Sequence, residues 1–339
     1  MVIRLFSLVG LVMTTLAPAD DVARIRVGII GLDTSHAPAF AKEMNNPEAN
    51  DDVAGCRVVA AYPKGSADIE SSVSRIPAYT AEFEKMGVKI VDSVDALVKE
   101  VDCVLLETND GRPHLEQAIP VLKAKKRLFI DKPVAGSLAD AVAIYKVAKA
   151  EGTPVWSASS LRYTEGAQAI RGGAIGKVLG AETYSPCPTE KTHPDLFWYG
   201  IHGVESLFTV MGPECESVVR VHSPELDVVV GRWSGGRAGT FRGIRSGKAD
   251  YGGTAFGEKE IRAIGPFGGY RPLVVRIVQF FKDGNVPVAA EETLALYAFM
   301  EAADHSKRGS GREIRLADIM QEAEQAADRR LKELGYSAP

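Results

Sequence analysis

Most of the chemically capable residues of this chain fall in a few short segments. In Phe129-Ile130-Asp131-Lys132-Pro133 a lysine is set between an apolar run and a proline. Held rigidly there, the Lys132 ammonium can bond a substrate hydroxyl and ease the loss of its proton. A later stretch, His193 to Glu205, carries three consecutive aromatics, Phe197, Trp198 and Tyr199, between His193 and His202. Flat faces beside an imidazole suit sugar stacking and proton transfer near neutral pH. His202 and Glu205 share a helix face at i, i+3. As metal ligands they have only His193 and Cys187 nearby, so no metal site is expected.

The segment Val27-Gly28-Ile29-Ile30-Gly31-Leu32-Asp33-Thr34-Ser35-His36 reads as a strand running through a glycine into a helix. That arrangement aims backbone N–H groups at a pyrophosphate. The usual G-x-G-x-x-G pattern is altered, with Gly31 in the first place, Asp33 in the second and His36 in the third. A carboxylate in the second place would repel a pyrophosphate; Asp33, Thr34 or Ser35 also suits a helix N-cap. The next apolar run ends in Tyr62-Pro63-Lys64-Gly65-Ser66, with no acid at its tip to hold a ribose. Lys64 and Ser66 suit a 2′-phosphate, which favours NADP, although Pro-Lys-Gly is also ordinary turn chemistry. Leu106-Glu107-Thr108-Asn109, followed by Arg112-Pro113-His114, lies at the C-terminal edge of another such run, where parallel sheets bind ligands.

The elements that position these segments alternate. Short β-rich runs at Ile25–Ile30, Cys56–Tyr62, Val88–Val91, Cys103–Leu106, Leu128–Ile130 and Pro154–Trp156 are separated by helix-like stretches such as Leu138–Ala150. Such alternation predicts right-handed crossovers and a doubly wound parallel sheet over residues 22–153. Residues 154–339 change rhythm. Runs at Ser217–His222, Leu226–Trp233, Arg237–Ile244 and Thr254–Ile264, joined by Gly-rich turns, predict an open antiparallel sheet in an α+β domain. Helices are expected at Glu291–His305 and Leu316–Leu334.

With 339 residues, the chain has room for two domains. A net charge of -4, without a basic stripe, argues against nucleic-acid binding. Cys56, Cys103, Cys187 and Cys215 show no CxxC spacing, which argues against a disulfide framework or structural zinc. Arg4, the uncharged stretch Leu5–Leu16 and Ala17-Pro18-Ala19 read as a secretory signal over residues 1–19. The stretch is too short to span a bilayer. A periplasmic or secreted protein is expected; a mis-assigned start codon would make it cytoplasmic.

Taken in order, these segments resemble the glucose–fructose oxidoreductase, inositol dehydrogenase and rhizopine-catabolism (Gfo/Idh/MocA) family. The resemblance rests on Gly31, Thr108 with His114, the Asp131-Lys132-Pro133 triplet, Gly200-x-His202 with Glu205, and the stretch from Asn285-Val286-Pro287-Val288 to Leu316. It implies a Rossmann-type domain with NADP or NAD, and a sugar or polyol meeting the nicotinamide between the domains. Lys132 and His202 would be catalytic. Gly31, Leu32, Asp33, Thr34, Ser35, Lys64, Thr108, Asn109, His114, Asp131, Lys132 and Arg162 would line the cofactor, and His193, Trp198, Tyr199 and Glu205 the substrate. Trp198 stands where many relatives carry an aspartate that assists proton transfer. A homo-oligomer formed through the exposed sheet face is expected.

Three functions compete: a net oxidoreductase, a redox-neutral sugar enzyme (lyase, epimerase or glycosidase type) that keeps its cofactor, and a non-catalytic sugar-binding protein. Export favours the second over a freely exchanging dehydrogenase, because free nicotinamide nucleotide is scarce outside the cytoplasm.

Overall fold

The computed structural model describes residues 24–339; the expected signal at residues 1–19 lies outside them. The first half runs β1 (Ile25–Ile30), α1 (His36–Asn45), β2 (Cys56–Tyr62), α2 (Glu70–Lys85), β3 (Lys89–Ile90), α3 (Val94–Glu100), β4 (Cys103–Leu106), α4 (His114–Lys123), β5 (Arg127–Ile130), α5 (Leu138–Glu151) and β6 (Val155–Ser157). Its strands pair in parallel in the order β3-β2-β1-β4-β5-β6. The order reverses between β1 and β4, the switch point at which such sheets open a crevice. β4 is buried along its whole length, as continuous apolar runs covered on both faces must be. The ends of α5 follow local chemistry. The Ser137 hydroxyl accepts from Asp140 N, and Gly152 closes the helix at φ 62°, a left-handed angle that favours glycine.

The second half holds a 3₁₀ turn (Ser160–Tyr163), α6 (Glu165–Arg171), β7 (Val178–Pro186), α7 (Asp195–Trp198), α8 (Ile201–Met211), β8 (Cys215–His222), β9 (Leu226–Trp233), β10 (Arg237–Ile244), β11 (Gly252–Gly257) and β12 (Ile261–Ala263). It ends with α9 (Arg271–Asp283), α10 (Ala290–Arg308), β13 (Ile314–Arg315) and α11 (Leu316–Glu333). The sheet order is β12-β11-β7-β10-β9-β8-β13. It is mixed, not purely antiparallel, because β7 and β10 run in the same direction. After β7 the chain crosses through α8 and returns along the β8–β9–β10 meander, which delivers β10 beside β7 pointing the same way.

The two halves share cores. Leu273, Val274, Ile277, Val278, Phe280 and Phe281 of α9 join Val27, Ile29, Phe40, Phe129 and Trp156 on one face of the first sheet. Leu296 of α10 and Ala327 of α11 belong to the core that contains α5 residues on the other face. Among the described residues, no helix is long and apolar enough to cross a membrane.

Candidate active site

A cleft of about 150 Å³ opens over the switch point. Thr34, Ser35 and His36 from the start of α1, Asn109 after β4, Lys132 after β5, and Tyr199 and His202 from the second half all line it. Lys132 Nζ lies 5.8 Å from the centre of the Tyr199 ring, close enough for a cation–π contact, and the Lys132–Pro133 peptide is cis. His202 is buried, with Nδ1 2.8 Å from Ser159 Oγ. Its ring meets Tyr199 and Tyr251 edge-on, at 5.1 and 5.8 Å between centroids. Burial first, then the charges of Lys132 and His36, hold the imidazole well below its ordinary pKa.

The phosphate-loop residues divide by role. Gly31, at φ 88°, packs so closely on Thr108 that a Cβ there would be driven into the Thr108 backbone. Leu32 is core. The Thr34 hydroxyl faces the first N–H groups of α1, at 3.2 Å from His36 N and 3.4 Å from Ala37 N. Asp33 is wholly buried; it accepts from Asn109 N at 2.9 Å and from Ser72 Oγ at 2.6 Å. Burial raises its pKa. The carboxylate expected to confront a pyrophosphate is therefore turned into the protein.

Other expectations are corrected. Arg162 does not line the cleft. It is buried in an ion-pair cluster, with Nε 2.6 Å from Glu205 Oε1 and Nη1 2.5 Å from Glu292 Oε1. Glu205, expected at the substrate, is consumed by Arg162 and by Ser159 N at 3.0 Å. His193 stacks on Trp198 at 4.9 Å between centroids and reaches Asp110 Oδ1 at 3.1 Å; neither ring lines the cleft. His114 is a brace, buried, with Nε2 2.9 Å from the Thr108 carbonyl. The Thr108 hydroxyl bonds Gln117. Lys64 is exposed in a separate groove with Ser66 and Gln117. Ser66 Oγ bonds Asp110 at 2.5 Å and Arg112 bridges Asp110 and Asp68. These contacts tie the β2 loop to the β4 loop.

Arg75, Ser160, Leu161, Tyr251, Phe267 and Tyr270 also line the cleft, and sequence reading missed them because they sit in no motif. It missed Glu107 and the encounter of His36 with Asp131 as well, at 2.8 Å between Nδ1 and Oδ2. Asp131 points into that contact and not into the cleft.

A parallel sheet in the order 3-2-1-4-5-6, with a glycine turn and a lysine at its switch point, defines a Rossmann-type fold. Residues 25–159 match the model of the Gfo/Idh/MocA oxidoreductase family, described as having an NAD-binding Rossmann fold. A curated relative, 2,7-anhydro-N-acetylneuraminate hydratase of Escherichia coli (strain K12), is 35% identical over 99 residues. That match takes in 27% of this chain and 26% of the relative, so the chain spans about a quarter of that enzyme's length. Among solved structures, a probable dehydrogenase from Thermotoga maritima superposes with a TM-score of 0.70 at 20% identity, over 87% of this chain and 100% of that one. A myo-inositol dehydrogenase from Lactobacillus casei, in complex with NAD(H) and myo-inositol, gives 0.68 at 15% identity, over 86% and 96%. These likenesses establish the shared fold.

The cofactor of the family's domain is NAD or NADP. The residues here fit it at the Gly31 turn, which only glycine can make against Thr108, and at the α1 amino end, where no charge is exposed because Asp33 is buried. Gly31 to Ser35 and Asn109 would hold it, with Lys132 at the nicotinamide end.

Proposed function

We propose that the chain is an NAD(P)-dependent oxidoreductase acting on a hydroxyl-bearing carbon of a sugar, polyol or cyclitol. The observation that carries this reading is that Lys132 and His202 face one cleft, at the switch point of an NAD-binding sheet, with Tyr199 against both. The nicotinamide, when bound, supplies the hydride acceptor. Lys132 bonds the substrate hydroxyl oxygen and favours its anionic form. His202 is kept neutral by burial and takes the hydroxyl proton on the ring nitrogen that Ser159 does not engage. Tyr199, Tyr251, Phe267 and Tyr270 offer ring faces and hydroxyls matched to a polyol.

Two measurements test this. NAD and NADP, added separately, should raise the melting temperature of the full chain, and a sugar or cyclitol panel should reduce the stabilising nucleotide. Lys132→Ala should lower turnover by about 10²–10⁴-fold while the fold persists; unchanged turnover removes Lys132 from the chemistry. A second reading, redox-neutral rearrangement with a retained cofactor, has its own support. The partial match to a hydratase is that support. Turnover without net reduction of added nucleotide selects it. We also propose that a second copy covers the outer face of the second sheet, where Tyr184, Val221, Val230, Phe256 and Ile261 are exposed.

A further inference from the structure

We propose that His36, Glu107 and Asp131 form a site for one divalent first-row cation, zinc or manganese, at the floor of the cleft beside Lys132. The three residues follow the carboxyl ends of three neighbouring strands, β1, β4 and β5. Leu106 pairs with Ile130, so Glu107 and Asp131 leave the sheet side by side. His36, in the place where the dinucleotide pattern has its third glycine, brings an imidazole over them. One ligand atom from each lies within 4.8 Å of the other two, and all three side chains are buried.

The unpartnered carboxyl oxygens point to a ligand. Both Glu107 carboxylate oxygens and Asp131 Oδ1 have no hydrogen-bond partner among the described residues. The Lys132 charge reaches both carboxyls, but its ammonium bonds neither of them and lies 5.8 Å from the centre of the Tyr199 ring. A buried carboxylate without a partner demands a counter-charge or a proton. A triangle of donors this size accommodates an ion at about 2.0–2.2 Å from each after small side-chain adjustment. Imidazole with carboxylates suits zinc or manganese. Because His36 lines the cleft, an ion would have an entry path and an open coordination position on that side. The site stands apart from hydride transfer and holds whichever function the cleft performs.

The test uses the full chain stripped with EDTA, exchanged into metal-free buffer and titrated with zinc chloride or manganese chloride alone. Calorimetry should show one saturable equivalent per chain, and the melting temperature should rise by several degrees at excess metal. Glu107→Gln and Asp131→Asn should each weaken binding at least tenfold, whereas His305→Gln, at a half-buried histidine near the end of α10, should leave it unchanged. If Glu107→Gln does not fold, His36→Gln and the wild-type titration decide. Absence of saturable binding by the wild type overturns the proposal, as does equal binding by the Glu107 and Asp131 variants. A melting temperature that ignores metal but rises on mild acidification also overturns it, by showing that the two carboxyls share a proton.

Discussion

His202 sits among Tyr199, Tyr251 and Ser159 with no carboxylate partner among the described residues, and burial holds its pKa below that of a free imidazole. The folded chain therefore binds fewer protons at this residue than the unfolded chain, whose histidine titrates near about 6.5. For a base shifted this way, the stability contribution is complete above that value. It is lost as pH falls through it toward the lower folded pKa. Ring-nitrogen NMR should find His202 neutral at pH 6, and His202→Gln should flatten the fall of melting temperature on the acid side of neutrality. A ring already protonated at pH 6 would remove it as the proton acceptor. The same burial explains why Asp33 does little harm: its charge is spent on Asn109 N–H and Ser72, inside the loop that looked damaged in sequence.

At the scale of elements, the 3₁₀ turn, α8 and α10 are pinned to one another by Arg162 between Glu205 and Glu292, with Arg171 of α6 closing the cluster. Removing one partner strands a buried charge, so Arg162→Ala should cost about 3–5 kcal/mol in denaturant unfolding. It should leave the KM for nucleotide unchanged in whatever fraction stays folded; a large KM effect would return Arg162 to the cofactor. The strands of the first sheet were legible because burial on both faces writes them as short apolar runs, and Gly31 and Lys132 were legible from their flanks. Arg162 and Glu205 were misread because a charged residue beside a motif looks the same whether it faces a ligand or a counter-ion. The partners that decide the matter, such as Glu292, come from distant elements. No element was expected over α9, whose β-branched Val274, Val275, Ile277 and Val278 carry little helix preference, and its packing on the first sheet was not visible in the sequence. The parallel β7–β10 pairing was hidden because hairpin turns reveal local neighbours and not the partner reached after a crossover. His36, Glu107 and Asp131 were all visible as letters, but their meeting depends on β1, β4 and β5 being neighbours.

The whole molecule exposes several large apolar side chains on the outer face of the second sheet. Val221 and Val230 on β8 and β9, Tyr184 on β7, Phe256 on β11 and Ile261 on β12 point to the same side by strand register. Exposed Glu182, Arg232 and Arg242 lie on the same side, so the face mixes apolar and charged groups as an interface between soluble subunits would. Light scattering on the full chain should give a dimer or higher species, and Val230→Glu with Phe256→Glu should shift it to the monomer with little change in melting temperature of the subunit. A monomeric wild type would refute that assignment. The position of α9 bears on biosynthesis. As the polypeptide emerges from the ribosome, the strands of the first sheet are complete well before the helix that seals one of their faces has been made. The amino-terminal half must therefore stay sticky and unfinished through most of translation. Shortened versions ending before α9 should be recovered as aggregates dependent on chaperones, not as a small autonomous nucleotide-binding unit.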